Sequence, residues 1–376
     1  MESRKEIRRN KVTFKELLFK FNTFVEEKGY VTKKSVGLIS PIFPHEFNVS
    51  GGHEYAMEIF KTIKPIASSL RYSLIDTSFR RMDMEHIGFS DRHISLFHMA
   101  VFACGVMREK INAYINELVF DFTQLLTERL EILKDELLFT TFDGGQILNF
   151  NLKREDCLIE SLRKAMISES KILPLEGRRN FFLAQNIECS GPSCEVYFDR
   201  GKEFEYGSRF IEIGSMNFYK YRYNARNGLL ELSPNQIFVC GIGIERTLMA
   251  KQGKPSVFDI DVLAPLVEIV SRYFSNSVEC SIFINSVRTI VDCVKSAIFI
   301  LSEGVKPDNS SRGRILRKII KNLTNQMKYL NLSKSNILDE LQDKVTEIYG
   351  DLYPKIKQQK IDLKVLISNK FKEEVS

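Results

Sequence analysis

The sequence predicts an α+β protein in two parts, and three patterns in its 376 residues support this prediction. Apolar residues recur at helical spacing in residues 14–28 and 110–133. Runs that alternate or are rich in aromatic residues, as in β-strands, lie within residues 195–223. The composition then shifts to helix-forming residues. We therefore expect a mixed domain at residues 1–253 and a helical domain at residues 254–376.

The first half of the mixed part is predicted to begin with a helix that ends at Gly29. Glycine and proline punctuate residues 35–60, which indicates strand and loop before a short helix that ends near Lys64. Two strands joined by the polar loop 82–91 follow. The segment 110–133 has one apolar face, as helices that pack on a core do.

The second half of the mixed part is predicted to contain three strands, at residues 195–198, 209–213 and 218–223. A hairpin turn at residues 224–228, which contains Asn and Gly, is expected after the third strand. Beyond residue 253 only helices are expected.

Composition limits the class of protein. The chain is 44% hydrophobic and 27% charged, as expected for a soluble, cytoplasmic protein with two sizeable cores. No apolar run is long enough to span a bilayer, and the N-terminal residues lack the apolar core of a signal peptide. Seven scattered cysteines without a Cys-x-x-Cys pair predict reduced thiols and no zinc site. The net charge of +6 is compatible with a nucleic-acid partner.

The segment 241–246, Gly-Ile-Gly-Ile-Glu-Arg, indicates a strand-to-helix corner that binds a nucleotide. Gly241 and Gly243 lack a Cβ, so a ligand can approach the backbone closely. Arg246 presents a planar guanidinium for phosphate or for stacking on a purine. Alone, this pattern is more often an ordinary turn.

A second segment strengthens the nucleotide hypothesis. On an extended strand, residues four apart share a face, so His93 and Phe97 point the same way, one towards phosphate and one towards adenine. Arg80 is expected on the partner strand. The two segments together predict an ATP site.

A basic helical face is predicted in the C-terminal part. Its members are Arg314, Arg317, Lys318 and Lys321, and Arg312 lies two residues before the first of them. Ile315, Leu316 and Ile319 form an apolar base behind them. An isolated basic face is usually just solvated, but beside an ATP site a phosphate backbone is the better interpretation.

These segments, in this order, resemble the N-terminal aminoacylating portion of the alanyl-tRNA synthetases, which have the class II synthetase fold. Residues 42–61 resemble motif 1, residues 80–99 motif 2 and residues 241–246 motif 3. Two further regions resemble the family, namely 180–199, with Asn-Phe-Phe and Gly-Pro-Ser-Cys-Glu, and 303–321, with Glu-Gly-Val-Lys-Pro-Asp-Asn. The resemblance implies an antiparallel sheet flanked by helices and then a helical tRNA-recognition domain. It also implies a stand-alone paralogue without editing and C-terminal domains.

The resemblance implies roles for the nucleotide-binding residues. Arg80 would hold the α-phosphate of ATP, His93 and Arg246 would bind the outer phosphates, and Phe97 would stack on adenine. The ATP-binding set implied by the motifs also includes Asp83, Arg92, Gly241 and Gly243. Mg²⁺ would bridge the phosphates, with the carboxylates of Glu195 and Glu212 as its candidate protein ligands.

The resemblance also implies a ligase reaction. An amino-acid carboxylate would attack the α-phosphorus of ATP, and the resulting adenylate would pass to the 3′ end of a tRNA. Asn309 and the basic helix would bind the acceptor stem.

The chain departs from the family where the amino acid would lie. Val239 replaces an aspartate that holds the substrate ammonium, Phe182 replaces a tryptophan, and Asn217 replaces an apolar residue. Met57 is retained, and His98 replaces a glutamate. Loss of the counter-ion should weaken the binding of ordinary α-amino acids.

Three functions are therefore weighed. The first is an alanyl-tRNA synthetase-type ligase that acts on alanine or another small amino acid and on tRNA. The second is a ligase that passes the acyl group to a carrier protein or a small molecule. The third is a non-catalytic homologue that binds ATP or tRNA. The oligomeric state stays open.

Overall fold

The computed structural model describes residues 12–62, 64–184, 189–204, 206–224, 226–273, 281–332, 336–358, 363 and 365–367. The chain divides into two compact units that are each assembled from separate stretches. Unit 1 comprises Met1–Val36, Ser50–Asp76 and His98–Gly253. Unit 2 comprises Gly37–Val49, Thr77–Phe97 and Lys254–Ser376.

The strands follow the chain as eleven segments in the described residues. They are β1 (Val31–Thr32), β2 (Leu70–Phe79), β3 (Leu96–Met107), β4 (Leu137–Phe142), β5 (Gly145–Ile147), β6 (Phe150–Leu152), β7 (Ile172–Leu175), β8 (Phe181–Ala184), β9 (Cys189–Asp199), β10 (Phe210–Asn224) and β11 (Leu229–Gly243). Nine of them form one sheet in the order β1-β2-β3-β11-β10-β9-β4-β7, with β8 beside β9.

The helices alternate with these strands and then continue alone. They are α1 (Phe14–Glu27), α2 (His53–Lys61), α3 (Ile111–Gln124), α4 (Asp156–Lys164), α5 (Tyr206–Arg209), α6 (Ile244–Lys251), α7 (Ala264–Arg272), α8 (Ser281–Ser302), α9 (Ser311–Tyr329), α10 (Ile337–Tyr349) and α11 (Pro354–Gln358). No described helix combines the length and the apolar character that crossing a membrane requires. The α+β prediction, a helix-flanked sheet followed by helices, is confirmed.

Helix α1 shows how local sequence sets an element. Thr13 caps its N-terminus in a capping box with Glu16, so two otherwise unpaired N–H groups are satisfied. One face is fully apolar and buried, and Gly29 with φ +74° ends the element as predicted. Helix α3 is shorter than predicted, because a π-helical turn at Leu125–Arg129 follows it.

The sheet differs from the prediction in two details. The central pairs are antiparallel, but β1 pairs parallel with β2 and β4 pairs parallel with β7. The strands predicted at 209–213 and 218–223 are one strand, β10, because residues 214–217 continue the ladder with β11. The predicted turn at residues 224–228 joins β10 to β11, and its residue 225 lies outside the described residues.

Unit 2 is built around α8. Residues 290–300 of this helix are buried on all sides, as in a central core helix. Helices α7, α9, α10 and α11 pack around it. The six cysteines in the described part of the chain are free thiols, and Cys280 lies outside that part.

Candidate active site

In unit 1, the corner at residues 241–246 forms as predicted. Strand β11 ends at Gly243 and α6 begins at Ile244. A Cβ on Gly241 would lie 3.2 Å from Val101 Cγ2, whereas a Cβ on Gly243 would meet only the Ile213 carbonyl oxygen at 3.9 Å. Packing therefore restricts the first position and leaves space at the second.

A β-bulge brings two acidic residues to one face of the sheet. Glu195 pairs with Ser215 across β9 and β10, and Glu212 pairs with Tyr197, with a register shift between Glu212 and Gly214. Directly opposed residues share a face, so the bulge turns Glu212 to the side of Glu195. Simple alternation along β10 would have separated them.

The Arg246 guanidinium joins this acidic pair. Its Nη1 lies 3.3 Å from the Glu212 carboxylate, and both side chains are partly exposed. The Tyr197 hydroxyl donates to the Glu195 carboxylate. Burial raises the pKa of Glu195, the nearby Glu212 charge acts in the same direction, and the Tyr197 hydrogen bond opposes both.

The acidic pair fits a hard cation that is also held by phosphate oxygens. Mg²⁺ prefers oxygen ligands and usually takes one or two carboxylates from the protein. The mutual repulsion of Glu195 and Glu212 is what a bound cation would relieve. Among the described residues, no group of three or more His, Cys, Asp or Glu side chains is arranged to hold a metal ion.

Two of the predicted amino-acid pocket residues share that face. Asn217 pairs with Val239 on β11 and with Ser193 on β9. These three residues form a row across the sheet, two residues along each strand from the row that contains Glu195 and Ser215. Asn217 is half-buried and its Nδ2 donates to Ser215 Oγ at 3.0 Å. The row offers amide and hydroxyl groups and, at Val239, an apolar wall.

Helix α2 lies against the same face of the sheet. A Cβ on Gly52, its N-cap residue, would come within 2.9 Å of Val101, which pairs with Gly241. Met57 is buried on α2, which packs against β11. The close approach requires glycine at position 52, where φ is also +80°.

Tyr219 and His53 lie beside the predicted amino-acid pocket residues, and no motif identified Tyr219. The Phe182 and Tyr219 rings are 5.1 Å apart, and the Tyr219 hydroxyl hydrogen-bonds His53 Nδ1. Burial raises the pKa of Tyr219 well above its usual range, so the phenol keeps its proton and can donate to His53 Nδ1 when the imidazole carries its hydrogen on Nε2. The two-residue spacing from Asn217 on β10 is the signal that locates Tyr219.

His98 does not share the sheet face of the predicted pocket residues Asn217 and Val239, contrary to expectation. Met99 and Val101 on β3 pair with Gly243 and Gly241, so His98 points to the opposite side of the sheet. Its Nδ1 is 2.6 Å from Glu245 Oε1, and the His98 N–H donates to Glu245 Oε2 at 2.9 Å. Both side chains are buried, so the pair belongs to the core beneath the corner.

In unit 2, Arg80 directly follows β2, and its N–H donates to the Ser95 carbonyl at 2.9 Å. The Arg80 guanidinium lies 5.0 Å from the Phe97 ring centroid and donates to the Val49 carbonyl at 3.2 Å. Arg80 therefore lies one residue beyond the strand on which it is expected, and its backbone pairs with Ser95, the residue before β3. Arg80 and Phe97 form a cation–π pair.

His93 does not belong to a strand. Strand β3 begins at Leu96, so the alternation that relates His93 to Phe97 does not reach it. Its Nδ1 lies 2.7 Å from Ser90 Oγ, and its ring is 5.1 Å from that of His86. Asp83 lies in a 3-10 turn and Arg92 in the following bend, both half-exposed.

The basic face of α9 has the predicted geometry. Its four cations, Arg314, Arg317, Lys318 and Lys321, are all exposed. Ile315, Leu316 and Ile319 are buried behind them. Lys318 Nζ lies 3.7 Å from Glu85 Oε1, a surface pair that contributes little to stability.

Arg312 is used differently from this face. Its guanidinium donates to the carbonyls of Glu46 (2.9 Å), Phe43 (2.7 Å) and Ser40 (3.4 Å). Burial lowers its pKa. The geometry favours a structural role, in which Arg312 holds the segment 40–46, over direct contact with phosphate.

Asn309 is exposed just before α9. Its neighbour Ser310 caps the helix by accepting from the Gly313 N–H, and Asp308 accepts from Ser310. A Cβ on Gly313 would lie 2.0 Å from Asp308 Oδ1, so only glycine fits there. The turn therefore fixes where Asn309 is presented.

The fold and these motifs define a class, and the comparisons agree. The family model for class II (A) tRNA synthetases matches residues 16–375. The chain belongs to the class II tRNA synthetases.

Among individual relatives, the chain is similar to alanine–tRNA ligases. It is 27% identical over 384 residues to that of Thermoanaerobacter sp. (strain X514), covering 97% of this chain and 41% of the relative. It is 29% identical over 303 residues to that of Campylobacter jejuni subsp. doylei, covering 78% and 33%. A threonyl-tRNA synthetase structure from Aeropyrum pernix aligns with 12% identity and a TM-score of 0.42, covering 74% of this chain and 67% of that one. The chain thus spans well under half the length of these two curated relatives.

Proposed function

We propose that the chain is an ATP-dependent ligase of the alanyl-tRNA synthetase type. It activates alanine or another small amino acid as the adenylate and transfers it to the 3′ end of a tRNA. The observation that carries the proposal is the single sheet face of unit 1 that bears Gly241, Glu195, Glu212, Asn217 and Val239. Nucleotide-binding and amino-acid-binding residues predicted from separate motifs meet on that face.

The phosphate-binding role falls to arginines that are already oriented. Arg246 is held by Glu212 in unit 1, and Arg80 is held by Val49 and Phe97 in unit 2. A cation fixed before the reaction stabilises charge on the transferring phosphorus without reorganisation. Within unit 2, His93 would be a further phosphate-binding group and Phe97 would offer a face for adenine.

Glu195 and Glu212 would hold Mg²⁺ together with the phosphates. When bound, Mg²⁺ neutralises phosphate charge and favours release of pyrophosphate. The bulge at Glu212–Gly214 supports this role, because it places both carboxylates on one side.

The amino-acid pocket would be formed by Met57, Phe182, Asn217 and Val239. The row with Val239 offers no carboxylate to an ammonium group, so polar contacts from Asn217 and Ser215 would orient the substrate. The missing counter-ion predicts weak binding of ordinary α-amino acids.

The test is ATP–pyrophosphate exchange with a panel of amino acids that includes β-amino and non-proteinogenic members. Exchange with one amino acid would establish adenylation and identify the substrate. Arg246→Gln should lower the exchange rate at least about a hundredfold, the usual effect of losing one transition-state ligand. Arg163→Gln, which breaks an exposed pair with Glu169, is the matched control and should leave the rate unchanged. Absence of exchange across the panel, with ATP binding intact, would contradict the proposal.

A further inference from the structure

Helix α8 carries a polar cluster in the middle of an apolar core. The cluster consists of Asp292, Lys295 and Ser296, each almost completely buried. Burying charged and polar groups in this way costs free energy unless each group is hydrogen-bonded. The partners therefore indicate what the cluster does.

Its partners lie in the segment that leads into β3. The Ser95 N–H donates to Asp292 Oδ1 at 2.9 Å, and the Ser95 hydroxyl donates to Asp292 Oδ2 at 2.6 Å. Ser296 Oγ lies 2.8 Å from Ser95 Oγ, which leaves Ser296 as the donor. Lys295 Nζ donates to the Leu96 carbonyl at 2.7 Å. Two consecutive residues, Ser95 and Leu96, are thus bound through backbone and side chain.

Ser95 connects this cluster to the proposed nucleotide-binding residues of unit 2. Its carbonyl accepts the Arg80 N–H, and Phe97 follows it by two residues. Arg80 and Phe97 then contact each other as a cation–π pair. Ser95 therefore links α8 to both Arg80 and Phe97.

The rest of the segment is attached to unit 2 as well. The Asp91 carbonyl accepts from the Val257 N–H at 2.7 Å and from Ser256 Oγ at 3.2 Å. A Cβ on Gly88 would lie 2.7 Å from the Asn285 carbonyl oxygen, so the loop backbone packs directly on α8. The segment is held along its length by residues from beyond position 253.

We propose that Asp292, Lys295 and Ser296 are positioning residues for nucleotide binding, which hold Ser95 and Leu96 so that Arg80 and Phe97 keep their geometry. The inference rests on the proposed nucleotide-binding role of Arg80 and Phe97. It assigns to the helical part of the chain a role in the first step of the proposed reaction, in addition to the proposed tRNA binding.

The experiment uses the full chain, with ATP and Mg²⁺ as the probe. Asp292→Leu removes both acceptors, Asp292→Asn keeps an acceptor for the Ser95 N–H, and Ser95→Ala removes one hydroxyl. Ser302→Ala is the matched control, because Ser302 is buried on the same helix and its hydroxyl donates to the Phe299 carbonyl of that helix. The measurements are the Kd for ATP, amide hydrogen exchange in residues 80–97, and thermal unfolding.

We expect Asp292→Leu to raise the Kd for ATP at least about tenfold, since small misplacements of binding groups cost that much or more. Amide hydrogen exchange in residues 80–97 should become faster. Asp292→Asn should largely restore both values, and Ser302→Ala should leave both unchanged. If Asp292→Leu does not fold, Ser95→Ala should show the same changes at smaller amplitude.

Unchanged ATP affinity and unchanged exchange in residues 80–97, in a folded Asp292→Leu or in Ser95→Ala, would overturn the inference. An equal effect of Ser302→Ala would also overturn it, because that outcome indicates general destabilisation. If the unmodified protein does not bind ATP, the nucleotide role itself fails. In that case, amide hydrogen exchange in the variants still decides whether α8 positions residues 80–97.

Discussion

The imidazole of His98 and the carboxylate of Glu245 form a buried pair with an Nδ1–Oε1 distance of 2.6 Å, and the backbone N–H of His98 donates to the second carboxylate oxygen. Glu245 immediately precedes Arg246, in the first turn of α6. A carboxylate in that position is favoured by the helix dipole. The pair therefore anchors the start of the helix from which Arg246 projects.

His98→Leu should destabilise the fold strongly, because it removes the imidazole that binds the buried Glu245 carboxylate. Removing one partner of a buried pair costs about 3–5 kcal/mol. The double variant His98→Leu/Glu245→Leu should recover part of that loss, since the buried carboxylate is removed as well. Urea unfolding of the three proteins measures both effects. Equal stability of the single variant and the original would show that the pair is dispensable.

Gly243→Ala should separate folding from nucleotide binding. At φ −81°, and with the nearest atom 3.9 Å from the position that a Cβ would take, alanine fits without strain. If the glycine admits a nucleotide to the backbone, ATP affinity should still fall by about tenfold, equivalent to about 1.4 kcal/mol. Gly313→Ala is the opposite control, since its Cβ would lie 2.0 Å from Asp308 and should lower the melting temperature. Normal ATP affinity of Gly243→Ala would show that ATP does not approach there.

Val239→Asp should strengthen the binding of substrates that carry an ammonium group. The new carboxylate would stand in the row with Asn217 and supply the missing counter-ion. We expect the KM for an α-amino acid in pyrophosphate exchange to fall about tenfold, at some cost in stability because the site is buried. Val239→Asn, neutral and of similar shape, should not lower KM. Equal effects of the two variants would rule out charge as the cause.

The basic face of α9 is expected to bind phosphates. Arg317→Ala/Lys318→Ala/Lys321→Ala should weaken tRNA binding and reduce its salt dependence by about one unit of slope for each phosphate that is no longer bound. Pyrophosphate exchange should not change. The control Lys344→Ala/Lys355→Ala/Lys357→Ala removes the same charge from lysines outside α9 that pair with carboxylates. Loss of tRNA binding in both triple variants would indicate a general charge effect.

Acid should weaken the fold through Asp199. Arg209 binds its carboxylate with two hydrogen bonds of 2.6 Å, and this holds the pKa of Asp199 below its usual range. Because the folded pKa is lowered, the contribution is present above the unfolded pKa of about 4 and is lost as pH falls through the folded value. Asp199→Asn should therefore be less stable at neutral pH, by about 1 kcal/mol or less, for a partly exposed pair. The free energies of unfolding of the original protein and of Asp199→Asn, measured from about pH 7 to about pH 2.5, should become equal at the acid end. A stability difference that stays constant with pH would show that the Asp199 carboxylate is not its cause.

Much of the fold could be predicted because its signals are local. Helical spacing with a terminal glycine predicted α1, and the Gly-x-Gly corner predicted the junction of β11 and α6. The exposed and buried faces of α9 follow from the three-and-four spacing alone.

The parts that escaped prediction depend on distant partners. Arg312 belongs to the basic run in the sequence, but carbonyls about 270 residues away bind its guanidinium. Glu212 reaches the side of Glu195 only because of one unpaired residue in β10. Periodicity in the sequence shows neither the distant carbonyls that accept hydrogen bonds from a side chain nor the position of a β-bulge.

The interleaved division of the chain has a consequence for its synthesis. Unit 2 needs the stretches Gly37–Val49 and Thr77–Phe97 as well as everything after residue 253. During translation these early stretches leave the ribosome long before α8, whose Asp292 binds Ser95 across 197 positions. Such long-range closure is slow and leaves apolar surface exposed in the meantime. The nascent chain therefore carries residues 77–97 without their partners on α8 until that helix has been made, and during this period the segment is accessible to chaperones.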